Sequence, residues 1–141
     1  ETTAGGRSRI AKLVNQHQPA VLVLELGAND ALRGLDLTSS ERNLNQISKT
    51  AKDQGAIVVV LGMQVPPNYG RAYTERFAGI FKSVAAENDA ELVPFFLSDI
   101  VGKEGSFQAD GIHPSAQVQA TMLETAWPAI ERALKRAATR P

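Results

Sequence analysis

Cysteine is absent from the 141 residues, which excludes a disulfide framework and any thiolate metal site. Histidine is scarce as well. His17 and His113 are separated by most of the chain and provide no i, i+4 ligand pair, so neither a metal nor any other cofactor is expected. An excess of one charge is also missing: fifteen Lys and Arg balance fifteen Asp and Glu, with no long run of either sign. Nothing therefore marks the electrostatic footprint that nucleic acid or an anionic membrane selects, and small neutral or acyl substrates stay open. Long hydrophobic runs are lacking too. The stretches Ala20 to Leu26 and Ala56 to Met63 are far too short to span a bilayer, and Glu25 interrupts the first. Finally, the chain opens on Glu1 rather than methionine, in a polar E-T-T-A-G-G stretch, so any signal peptide or first strand is expected to lie upstream of it.

What is present suffices for one domain with a real core, since 43% of the residues are hydrophobic. Ile10, Leu13 and Val14 form one apolar face of a helix over Gly6 to His17, stopped by Pro19. Ala20 to Leu26, rich in Val and Leu, reads as a buried strand. A capping box of Thr38 with Glu41 then predicts a helix whose inner face carries Leu44, Ile47 and Ala51, with Gly55 just beyond its end. Ile57 to Met63 is apolar on both faces, as parallel strands covered by helices are. Phe77, Ile80, Phe81 and Val84 mark a helix over Tyr73 to Glu87, and Glu91 to Phe95 reads as a third strand. After a long loop to Pro114, a last helix begins near Ser115 with Val118, Met122, Leu123 and Ile130 inward and a kink or restart at Pro128. Helices and strands in strict alternation predict right-handed crossovers and an α/β fold with a parallel sheet between helical layers.

In such sheets ligands bind beyond the carboxyl ends of the strands. Three segments occupy that position: Gly27-Ala28-Asn29-Asp30, Gln64-Val65-Pro66-Pro67-Asn68-Tyr69-Gly70, and the loop ending Asp110-Gly111-Ile112-His113-Pro114. The first and third have a plain structural reading. Asn29 and Asp30 can serve as a helix cap or Asx-turn, and His113 can be a turn histidine bonded to Asp110. His17 reads as solvated at a helix end. Glu25 shares a strand side with Val21 and Val23 and needs a partner. No serine lies in a G-x-S-x-G elbow, and none is a convincing nucleophile.

Taken together the motifs narrow the choice. L-E-L-G-A-N-D at residues 24–30 and D-G-I-H-P at 110–114 resemble the third and fifth blocks of the SGNH (GDSL) hydrolases. The chain is most similar to their bacterial arylesterase, thioesterase I and lysophospholipase L1 group, through Ala31-Leu32-Arg33-Gly34 and Pro66-Pro67-Asn68-Tyr69-Gly70 as well. The opening E-T-T-A-G-G resembles the stretch after the second-block glycine. The resemblance implies a three-layer α/β/α, flavodoxin-like fold and hydrolysis of carboxylic esters or thioesters. It implies that Asn29 donates its amide to an oxyanion hole, that His113 is the general base and that Asp110 orients it. Such a division of labour suits acyl transfer, which needs a fixed neutral donor for the developing oxyanion and a group that both takes and returns a proton.

Gly27, Ala31, Leu32, Val65, Pro66 and Ile112 are the expected substrate contacts, and their apolar character implies apolar acyl or aryl groups. The family's G-D-S block and second-block glycine are not in the sequence. Residues 1–141 are accordingly expected to be one SGNH domain incomplete at its N-terminal side, with the serine on a missing segment of the same protein or on a complementing chain. The resemblance implies a periplasmic or secreted protein, the cytoplasm being the alternative. Two rival functions stand beside the esterase. A non-catalytic ester- or acyl-binding module would explain the absent serine, whereas a flavodoxin-like nucleotide or receiver domain would need a phosphate loop or acidic cluster that the sequence does not show.

Overall fold

Strand β2 (Ile57–Leu61) is buried along its whole length, as a run of Ile and Val without polar alternation requires when both sheet faces are covered. In the computed structural model, which describes residues 1–139, β2 lies between β1 (Val21–Leu24) and β3 (Glu91–Val93), parallel to both. Val21 is in register with Ile57, and Val59 with Glu91. The helices are α1 (Thr3–His17), α2 (Ala28–Leu32), α3 (Leu37–Asp53), α4 (Arg71–Asn88) and α5 (Gln119–Ala138). The architecture is the expected α/β one.

Alternation along β2 divides the core in two. Val58 and Val60 face α1, α3 and α4, packing with Val14, Leu44, Ile47, Ile80 and the edge-to-face pair Phe77 and Phe81. Ile57, Val59 and Leu61 face α5 alone. Full burial of each such side chain contributes about 2 kcal/mol before ordering costs are counted. The inward stripe of α5 is Met122, Ala126, Ala129 and Ala133, spaced for one helix face, and its alanines let the helix lie close on the sheet. Leu123, expected inward, is instead 55% exposed.

Other expectations are corrected at element ends. The N-cap of α3 is Asp36, which accepts from the amides of Thr38 and Ser39. No Thr38–Glu41 capping box forms, because the helix has already begun at Leu37 and Thr38 lies inside its first turn; Glu41 pairs with Arg76, 2.5 Å away on α4. Helix α5 runs unbroken through Pro128. Pro128 and Glu124, whose carbonyl loses its helical partner there, are both exposed, a position at which a helix tolerates the lost bond. The segment after β1, read as a cap or turn, is the five-residue helix α2. Gly27 at its start has φ +115°, a conformation that L side chains rarely adopt, and this sharp corner turns the chain from strand to helix.

Candidate active site

The loop from Ser106 to Ser115 is closed on itself. Phe107 and Pro114 form an antiparallel bridge, the Gln108 amide donates to the His113 carbonyl at 2.8 Å, and the Ser115 amide donates to Ser106 at 2.8 Å. Within it Asp110 accepts the backbone amides of Ile112 and His113 on Oδ1 at 2.9 and 3.0 Å, an Asx-turn helped by Gly111 at φ +68°. Its other oxygen, Oδ2, lies 2.7 Å from Nδ1 of His113. The two backbone bonds fix the carboxylate, and the carboxylate then fixes the ring. With the Nδ1 proton committed to Asp110, Nε2 carries the lone pair and has no partner among the described residues.

The side-chain bond to His113, with the two backbone bonds, lowers the Asp110 pKa from 3.8 to about 2. Because the folded value lies below the ordinary one, this interaction is present above pH 4 and is lost as the pH falls through about 2. Carboxyl-carbon NMR of Asp110 between pH 6 and 1.5 should accordingly show a midpoint near 2. A midpoint at the ordinary aspartate value would mean that the three hydrogen bonds do not hold in solution.

Asn29 comes from a different part of the chain. It occupies the first turn of α2, and its Nδ2 donates to the Glu1 carbonyl at 3.0 Å. One amide hydrogen is thus committed and sets the direction of the second. Asn29 and His113 line one cavity of about 420 Å³, together with Glu1, Glu25, Gly27 and Gln119 among others, and no lining residue is serine. Glu25 stands beyond the end of β1, still exposed but crowded enough that desolvation raises its pKa above 4.5.

A neighbouring cavity of about 390 Å³ is mostly apolar, with Val65, Pro66, Phe95, Val101 and Phe107 in its wall. Ala28, Leu32, Met63, Leu97 and Ile112 border both spaces, which therefore adjoin. Of the expected substrate contacts, Gly27, Leu32, Val65, Pro66 and Ile112 line one or both. Ala31 lines neither: it is fully buried, and its carbonyl accepts the Tyr73 hydroxyl at 2.8 Å. Sequence reasoning missed Met63, Leu97, Gln119 and Met122, because nothing in their local sequence separates a cavity wall from core. His17 is exposed in the last turn of α1, away from both cavities.

A parallel α/β sheet with an aspartate-bound histidine and an anchored asparagine amide beyond the carboxyl ends of its strands defines the class: an α/β domain with its site at that rim. Residues 1–121 match the GDSL-like Lipase/Acylhydrolase family, and the chain belongs to it. It is 44% identical over 131 residues to "Esterase TesA" of Pseudomonas aeruginosa, covering 93% of this chain and 65% of that protein. With "Thioesterase 1/protease 1/lysophospholipase L1" of Escherichia coli K12 it shares 39% identity, covering 84% of this chain and 57% of that one. The crystal structure of TesA superposes with a TM-score of 0.91 at 43% identity, covering 94% and 74% of the two chains. The chain thus spans less than two thirds of the length of these curated relatives.

Proposed function

We propose that this chain is the base and oxyanion half of a serine ester hydrolase. The observation that carries the reading is the meeting of His113, held by Asp110, with Asn29, held by Glu1, on one cavity. In this reading a serine hydroxyl gives its proton to Nε2 of His113 as its oxygen attacks the ester carbonyl carbon. The carbonyl oxygen takes up the negative charge, and the free Asn29 N–H donates to it. Collapse of this intermediate breaks the bond to the leaving group, which takes the proton back from His113. Water then cleaves the acyl-serine by the same two steps.

No serine lines the cavity, so the nucleophile in this proposal arrives on a segment outside the described residues, of the same protein or of a complementing chain. Substrates are small esters or thioesters, and the apolar space beside His113 takes their acyl or aryl part. The family resemblance supports a periplasmic or secreted location. Among the described residues no helix is long and apolar enough to cross a membrane. The serine-free cavity wall favours a second reading, an ester-binding module without turnover.

The test of the oxyanion role is Asn29→Ala in the protein that carries the serine-bearing segment. A fall in kcat of about 10²- to 10³-fold on p-nitrophenyl butyrate is expected, with little change in KM. An unchanged kcat would remove Asn29 from the mechanism.

A further inference from the structure

Asp30 is 3% exposed, yet no cation pairs with it among the described residues. Three donors converge on its carboxylate instead. Thr3 gives its amide to Oδ2 at 3.0 Å and its hydroxyl to Oδ1 at 2.5 Å, and the Ser40 hydroxyl lies 3.1 Å from Oδ1. Thr3 is itself held, its Oγ1 accepting from Asn43 of α3 at 3.0 Å. The Thr3 amide can only donate, so an amide nitrogen turned toward it would set N–H against N–H, whereas the Thr3 and Ser40 hydroxyls can donate or accept. A buried carboxylate is an expensive tie between three helices, and an apolar contact would join them at lower cost. Its position suggests what the charge does.

Asn29 and Asp30 are consecutive, and both grip the three residues that enter α1. Asn29 is bonded to the Glu1 carbonyl, Asp30 to the Thr3 amide and hydroxyl. The carbonyl that aims the Asn29 amide is therefore only two residues from the point where Asp30 pins the same segment. The far end of α2 is fixed separately, by the Tyr73 hydroxyl on the Ala31 carbonyl at 2.8 Å. Without Asp30, the segment that orients the Asn29 amide loses its backbone anchor at Thr3 and keeps only the side-chain ties of Asn43 to Thr3 and Arg9 to Glu1 beside the Asn29 bond itself.

We propose that Asp30 is a positioning residue for Asn29, its carboxylate fixing the start of α1 so that the Glu1 carbonyl directs one Asn29 N–H and leaves the other aimed at the reacting carbonyl. This inference rests on the oxyanion role of Asn29 given above. It also carries a sign. Coulomb's law says that removing an anion near a developing oxyanion should speed the reaction; a loss of rate on neutralising Asp30 therefore reports geometry.

The experiment compares Asp30→Asn, Asn29→Ala and the double variant in the serine-bearing protein, with kcat and KM on p-nitrophenyl butyrate and folded fraction by circular dichroism. Asp30→Asn should lower kcat by about tenfold or more with KM within about threefold, since a displaced catalytic group costs rate rather than binding. In the Asn29→Ala background the same change should cost at most about threefold more, because the group it positions is already gone. A folded Asp30→Asn variant with the parent kcat, or losses that multiply in the double variant, would overturn the proposal and leave Asp30 a purely structural group. An Asn29→Ala variant with the parent kcat would instead bring down the oxyanion reading itself, a separate result. Should Asp30→Asn fail to fold, Thr3→Val removes the hydroxyl that donates to Asp30 and accepts from Asn43, leaving the Thr3 amide in place; a kcat loss of about threefold that vanishes beside Asn29→Ala is then expected, and an unchanged kcat would refute the idea.

Discussion

Replacing His113 with alanine in the serine-bearing protein should lower kcat/KM on p-nitrophenyl butyrate by roughly 10⁴- to 10⁶-fold. A neutral serine hydroxyl is a poor nucleophile, and only a base within hydrogen-bond reach makes it a good one. The ring has the required arrangement: Nδ1 is tied to Asp110 at 2.7 Å, and Nε2 is left toward the cavity that Asn29 also lines. No second base replaces it cheaply. Glu25 borders the same cavity and desolvation raises its pKa, but no described side chain orients its carboxylate as Asp110 orients His113. His17→Ala is the control, since that exposed side chain at the end of α1 is remote from both cavities. Initial rates for both variants, with purified protein and matched folded fraction, give the comparison. A serine-bearing protein indifferent to His113→Ala would eliminate the mechanism.

The parts of this molecule that were legible from sequence are those in which local pattern and tertiary context agree. The Ile-Val run of β2 and the 3.6-residue spacing of Leu44 with Ile47, and of Phe77 with Phe81, placed strand and helices because their burial is what the pattern encodes. The misreadings occur where small or polar residues decide. On α5 the inward face beyond Met122 is made of alanines, which carry little periodic signal, and the eye goes to Leu123, which is exposed. At α3 two polar residues, Asp36 and Thr38, both offer a cap, and the helix starts at the first of them. The site follows the same division. Asp110 and His113 share one turn and can be paired from their spacing, whereas the bonds from Asp30 to Thr3 and Ser40 link residues far apart in the chain. A reading confined to neighbours sees in Asp30 only a cap.

Residues 1–141 by themselves should hydrolyse no p-nitrophenyl ester above background, and joining or adding a segment that brings a serine to the cavity should raise the rate by orders of magnitude. A triad without its nucleophile keeps only binding and electrostatic assistance, a small remainder of the full acceleration. The cavity wall contains His113 and Asn29 but no serine. The buried serines do not substitute: Ser40 bonds to Asp30, Ser106 is 2% exposed in the loop, and Ser48 sits within α3. The sheet supplies a place for the added segment. Strand β1 pairs only with β2 among the described strands, and Val23 on it is 43% exposed although apolar. An open strand edge beside the site can accept a further strand, whose end would then stand at the same rim as Asn29 and His113. The assay is ester hydrolysis by the chain alone, by the chain with the segment, and by the combination carrying Ser→Ala in that segment. Serine-reagent-sensitive turnover by residues 1–141 alone would show that a nucleophile is already present among them, and a fully assembled protein that binds esters without hydrolysing them would establish the binding-module reading instead.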